Sequence, residues 1–101
     1  MPAASVLQGD FVATAGQGTQ ADAGANTAPA TRYKIRLINT HATDRLYVAF
    51  SQAVAVDTSP NPEVIEADFG VWDAFIEAGV QVWVRPEAAN SINVRVIQYA
   101  T

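Results

Sequence analysis

From Arg32 onward apolar and polar residues alternate with a period of two, the mark of strands that bury one face. In Arg32-Tyr33-Lys34-Ile35-Arg36-Leu37-Ile38, one face carries Tyr33, Ile35 and Leu37, and the other carries Arg32, Lys34, Arg36 and Ile38. The polar run 39–44 predicts a turn, because short Asn and Asp side chains bond to nearby backbone. Residues 45–50 predict a second strand, paired with the first as a hairpin. Further strands are expected over 53–56, 63–67, 71–76, 80–85 and 91–99. Turn formers separate them at 57–62, 68–70, 77–79 and 86–90. Over 71–76 helix and strand are hard to separate, and strand is favoured. Short strands about ten residues apart predict an all-β fold, an antiparallel sandwich or a jelly-roll-like barrel, over residues 32–101.

Residues 1–31 break this pattern. They hold nine alanines and no Lys or Arg, and their only charges are Asp10 and Asp22. Gly16-Gln17-Gly18, Gly24 and Pro29 interrupt any helix the alanines could support. The apolar residues are Val6, Leu7, Phe11 and Val12. Alone in water such a segment buries too little surface to offset its ordering entropy. The segment reads either as a disordered tail or as an extended N-terminal arm that reaches a neighbouring subunit, the arm being favoured, and residues 32–101 are expected to fold without it.

Charge and composition narrow the function classes. Ten acids against six bases give a net charge of −4, which argues against nucleic-acid binding, since that depends on basic patches. No run approaches the ~20 apolar residues that span a bilayer, and the first residues lack a secretory pattern. With no cysteine there are neither disulfides nor thiolate metal sites. Five of the six bases are Arg, and Arg is favoured at interfaces because its planar fork pairs bidentately.

Candidate chemistry is sparse. His41 is the single histidine, and Asp44 three residues on could orient it as a base. Neither Ser51, Ser59 nor Ser91 sits in a nucleophile context, so His41 reads first as a solvated turn residue. Asp57, Asp68 and Asp73 are oxygen donors of the kind calcium takes, but their spacing fits no calcium loop. Gly16-Gln17-Gly18 follows no strand and precedes no Lys, so it is not a phosphate loop. A catalytic centre, a metal and a cofactor are therefore not expected.

The richer signal is a contact face. With Val80, Val82 and Val84 inward, Trp83 and Arg85 point outward. With Ile92, Val94 and Val96 inward, Arg95, Ile97 and Tyr99 do. Trp, Tyr and Arg dominate interface hot spots. Taken as neighbours, these two strands would present Trp83, Arg85, Arg95, Ile97 and Tyr99 on one surface, with Phe11 and Val12 as contacts on the arm. Trp72 is expected in the core. A rival use of Trp83 and Tyr99 is stacking on sugar rings.

The runs Arg36-Leu37-Ile38-Asn39-Thr40 and Asp44-Arg45-Leu46-Tyr47-Val48-Ala49-Phe50, with the closing strands 80–85 and 92–96, resemble a family of phage proteins. These are the small β-sandwich decoration, or cement, proteins encoded beside the major capsid gene in tailed bacteriophages. The resemblance covers about residues 32–99 and lies in strand texture. It implies a non-enzymatic virion protein, made in the host cytoplasm and carried on the capsid surface. Its partners would be the major capsid protein and copies of itself, often as a trimer, with terminal arms crossing to neighbours. The resemblance assigns no individual residue a role.

Overall fold

A strand with one apolar face needs a second apolar face to cover it. The computed structural model describes residues 5–51 and 63–101, and in them eight strands meet that need. They are β1 (Ser5–Ala13), β2 (Thr19–Gln20), β3 (Arg32–Asn39), β4 (Leu46–Ala49), β5 (Glu63–Ile65), β6 (Gly70–Ala74), β7 (Trp83–Pro86) and β8 (Ile92–Ala100). The one helical element among the described residues is a 3-10 turn at Gly24–Asn26. The strand expected over 53–56 and the turn over 57–62 lie outside the described residues.

All pairings are antiparallel, and they build two four-stranded sheets packed as a sandwich that does not close into a barrel. The first sheet has the order β1-β8-β3-β6 and the second β2-β7-β4-β5. Strand β1 pairs with β8, β2 with β7, β3 with β6 and β4 with β5. That is one long antiparallel ribbon rolled over itself, the winding of a jelly roll. In it, only β4 and β5 are both consecutive and adjacent.

This winding corrects the expected hairpin between 32–38 and 45–50. Strands β3 and β4 lie in different sheets, and β3 pairs with β6 and β8. The polar run between them is a corner, held by the fully buried Asn39. Its amide donates to the carbonyls of Asp44 (2.8 Å) and Ile65 (3.4 Å), and its side-chain oxygen accepts from the His41 N–H (3.0 Å). A corner that leaves one sheet and enters the other carries unpaired backbone, and a buried amide satisfies it.

The inward faces meet in one core. The first sheet contributes Ala13, Ile35, Leu37, Ile92, Val94 and Val96, and the second Leu46, Val48, Ile65 and Val84, with Val82 and Ala21 beside them. Trp72 packs against this core but is only partly buried, and its indole N–H donates to Glu63 at 3.1 Å. Between β5 and β6 the chain reverses through Asp68 (φ 57°) and Phe69 (φ 66°), left-handed conformations that are uncommon for such side chains. Their N–H groups donate to the carbonyls of His41 (2.7 Å) and Asn39 (2.8 Å), so the corner and the reversal fix one another. Gly70 follows because a Cβ there would meet the Glu66 carbonyl oxygen at 2.1 Å.

The alternation fails at one informative place. The pairing of β3 with β8 shifts between Arg32 and Lys34, a β-bulge that turns Arg32 inward instead of leaving it beside Lys34 and Arg36. Its side chain is 0% exposed, and the Asp22 carboxylate lies 2.9 Å from Nη1. All five guanidinium donors are used. Nη1 reaches Asp22 and Gln98, Nη2 the carbonyls of Glu77 and Val80, and Nε that of Ile76. Asp22 also accepts from the Val82 N–H and the Gln20 amide, both at 3.1 Å. Gln98 donates in turn to the Asn26 carbonyl at 2.7 Å.

The segment 1–31 is therefore more than an arm. Its residues 5–13 form β1, paired with β8 over nine positions of the same chain. Ala13 and Ala21 are core residues and Asp22 is the counter-ion of Arg32. Phe11 turns inward onto the core. At Gly9 a Cβ would meet the Asn26 Oδ1 at 2.0 Å, so the strand's inner face holds a glycine where a strand pattern calls for a large apolar residue.

Two outcomes follow. Asp22→Ala leaves a buried guanidinium without its counter-ion and is expected to lower stability by about 3–5 kcal/mol; denaturant unfolding measures this, and a loss below about 1 kcal/mol would contradict the role given to the pair. A chain lacking residues 1–30 should lose the dispersed amide NMR spectrum of a packed domain, contrary to the sequence expectation that 32–101 fold alone. A native-like spectrum would overturn this.

Candidate contact face

Strand register sorts the outward side chains of the first sheet into rows. Val6, Tyr99 and Lys34 stand in one row; Gln8, Ile97, Arg36 and Asp73 in the next; Asp10, Arg95, Ile38 and Val71 in the third. Val12 stands opposite Asn93 beyond them. Eight large apolar side chains are exposed among the described residues. Five belong to this face: Val6, Val12 and Val71 by register, and Tyr33 and Phe75 by their contacts with Tyr99 and Lys34. Phe69, 62% exposed, stands at the turn into β6. Such a concentration on one sheet surface makes this face the candidate contact surface.

The charges of this face are mostly used up within it. Arg36 grips Asp73 bidentately, with Nε 2.7 Å from Oδ1 and Nη2 3.0 Å from Oδ2. This bond holds the Asp73 carboxyl below its ordinary range and raises Arg36. Arg95 lies 3.5 Å from Asp10. What remains is Lys34, whose ammonium sits 5.2 Å from the Phe75 ring centre and 5.1 Å from that of Tyr99. Tyr33 tilts against Tyr99 with ring centres 6.5 Å apart.

The expected contact residues do not form one surface. Arg95, Ile97, Tyr99 and Val12 share the outer face of the first sheet. Trp83 and Arg85 lie on β7 in the second sheet, half-buried, so they cannot join Tyr99 on a common sugar platform. The rolled ribbon sends the last two strands to opposite sheets, which period-two patterning does not encode. Lys34, Tyr33, Val71 and Phe75, which the sequence does not single out, also stand on this face, and outward positions flanking Arg36 and Asp73 become readable once the β3–β6 pairing is known.

The candidate chemical groups sit elsewhere and serve the loops. His41 Nδ1 accepts from the N–H groups of Thr43 (3.2 Å) and Asp44 (3.0 Å), which places the imidazole proton of the neutral ring on Nε2. That nitrogen is 3.8 Å from the Asp44 carboxylate. A hydrogen bond from the Asn90 amide holds the Asp44 carboxyl below its usual range, aided by His41. The Ser91 hydroxyl accepts from the Ala15 N–H at 3.1 Å, and the two hydrogen bonds to the His41 ring come from backbone N–H groups. Ser59 and Asp57 lie outside those residues. Asp73 is held by Arg36, and among the described residues no three His, Asp or Glu side chains cluster as metal ligands. Glu87 is likewise held low by the hydrogen bond from Arg45. No family model matches the chain, and neither a curated protein nor a solved structure matches it.

The three depressed carboxyls set the sign of an acid dependence. A group whose folded pKa is lowered stabilises the fold above its unfolded value, about 4, and loses that contribution as pH falls through the folded value. Asp73, Asp44 and Glu87 should therefore make the urea midpoint fall below about pH 4 while leaving it flat between about pH 5 and 7. Arg36→Met should return Asp73 to the ordinary carboxylate range in an NMR titration. An unchanged Asp73 titration would contradict the assigned cause.

Proposed function

We propose that the protein is a structural virion subunit of the decoration, or cement, kind. It attaches to the outside of an assembled phage head through the outer face of the sheet β1-β8-β3-β6. The observation that carries this reading is the gathering of five exposed large apolar side chains on that one surface. The face rests on a two-layer core and its Arg–Asp pairs are closed internally, so little ordering is needed on docking. Modest contacts repeated over a lattice add up through avidity. The partners in this reading are the major capsid protein and further copies of the chain, as a trimer. The resemblance in strand texture points the same way, and a jelly-roll winding accommodates it without requiring it.

The exposed rings of Tyr33 and Phe75, with the half-buried Tyr99 against Tyr33, favour one second reading, a carbohydrate-binding module that stacks sugars on them. The two readings separate by experiment. Light scattering after size exclusion, with and without heads of tailed phages, should find an oligomer and saturable attachment to heads. Val71→Asp places a charge on the face at an exposed site, so it should fold normally and weaken attachment at least tenfold. A strict monomer that ignores heads, or that gives heat with a glycan panel in calorimetry, would replace the first reading with another.

A further inference from the structure

One cation on the contact face is unlike the rest. Arg36 and Arg95 face carboxylates of their own chain, whereas among the described residues Lys34 makes no salt bridge and donates no hydrogen bond, and its charge adds only a smaller part than Arg36 to the lowering of Asp73. Its ammonium instead stands between the Phe75 and Tyr99 rings, with Tyr33 against Tyr99. Two aromatic faces within about 6 Å attract a cation and hold it in place, yet they leave its three N–H donors for another acceptor. Phe75 is 78% exposed, the most open large apolar side chain among the described residues. The corner is thus a fixed positive charge with an apolar rim.

We propose that Tyr33, Lys34, Phe75 and Tyr99 recognise a single carboxylate, carried by an acidic residue flanked by apolar ones on a segment of the partner protein. This rests on the docking reading and names what one corner of the face selects. Charge decides between anionic partners. The chain carries −4 overall, so a polyanion such as nucleic acid or a uronic-acid polymer meets net repulsion beyond the corner. One carboxylate, by contrast, finds one ammonium that makes no salt bridge among the described residues, and the rings cover the apolar residues beside it. The charge-assisted bond forms on an ammonium already held near two rings, so little side-chain freedom is lost.

The test uses the full chain, labelled with nitrogen-15 and titrated with three probes. They are a short peptide with blocked termini that carries one Glu between Val residues, the same peptide with Gln for Glu, and trigalacturonate. The Glu peptide is expected to shift the amides of Tyr33, Lys34, Phe75 and Tyr99 saturably. The Gln peptide should bind about tenfold more weakly or not at all, the loss of one charge-assisted pair. Lys34→Gln should erase the difference between the peptides, while Lys34→Arg should keep it. Equal binding of the two peptides, an absence of shifts at these four residues, or tighter binding of trigalacturonate would each overturn the proposal. Should the Glu peptide fail while Val71→Asp still abolishes attachment to heads, the corner has no such role and the docking face stands.

Discussion

The rest of the molecule is organised around a buried ion pair. Arg32 and Asp22 are both removed from water, and such a pair is tolerable only when every remaining donor and acceptor is met. Here they are. No buried side-chain polar atom among the described residues lacks a partner. The guanidinium gathers carbonyls from the β6–β7 loop, a side chain from β8 and the carboxylate from the segment after β2. It therefore fastens four separate stretches of chain at one end of the sandwich. At the other end Asn39 does a smaller version of the same work, tying the β3–β4 corner to Asp44, His41 and Ile65.

Pinning both ends has a consequence for the face between them. The rolled ribbon leaves β3 and β8 in the middle of the first sheet and β1 and β6 at its edges. Outward positions of the central strands carry the cations Lys34, Arg36 and Arg95, and those of the edges carry Asp10 and Asp73 together with the exposed apolar groups Val6, Val12 and Val71. The Arg36–Asp73 and Arg95–Asp10 pairs run between a central strand and an edge strand and so brace the sheet laterally. Exposed pairs of this kind contribute little stability. Their effect on the surface is larger, because they remove net charge from a region that also exposes hydrophobic groups.

The strained turn at Asp68 and Phe69 belongs to the same design. Two successive left-handed residues are costly unless neighbours hold them. Their amides reach the Asn39 and His41 carbonyls, and Gly70 permits the Glu66 backbone to come close. The turn thereby sets the start of β6, and with it the register that puts Val71 beside Ile38 and Asp73 beside Arg36.

Patterning alone determined that the described residues from Arg32 onward are mostly short strands, which side of most of them is apolar, and that the fold is all-β. Those are local properties, written in the period of two, while the choice of an open sandwich over a closed barrel came from the pairing. It also determined that Val82, Val84, Ile92, Val94 and Val96 lie inside. Tertiary structure decided which strands are neighbours, because a rolled ribbon pairs residues far apart in sequence and leaves no local trace of the partner. Hence Trp83 and Tyr99 parted to opposite sheets, and Lys34 came to stand between Phe75 and Tyr99. It also decided the fate of residues 5–31. Strand β1 carries Gly9 and Ala13 on its inner face, too small to signal burial by hydrophobicity. Only β8 beside it and Asn26 above it make a strand of that segment. Arg32 is the sharpest case: its sequence neighbours mark it as an outward charge, and a one-residue bulge makes it the centre of the fold.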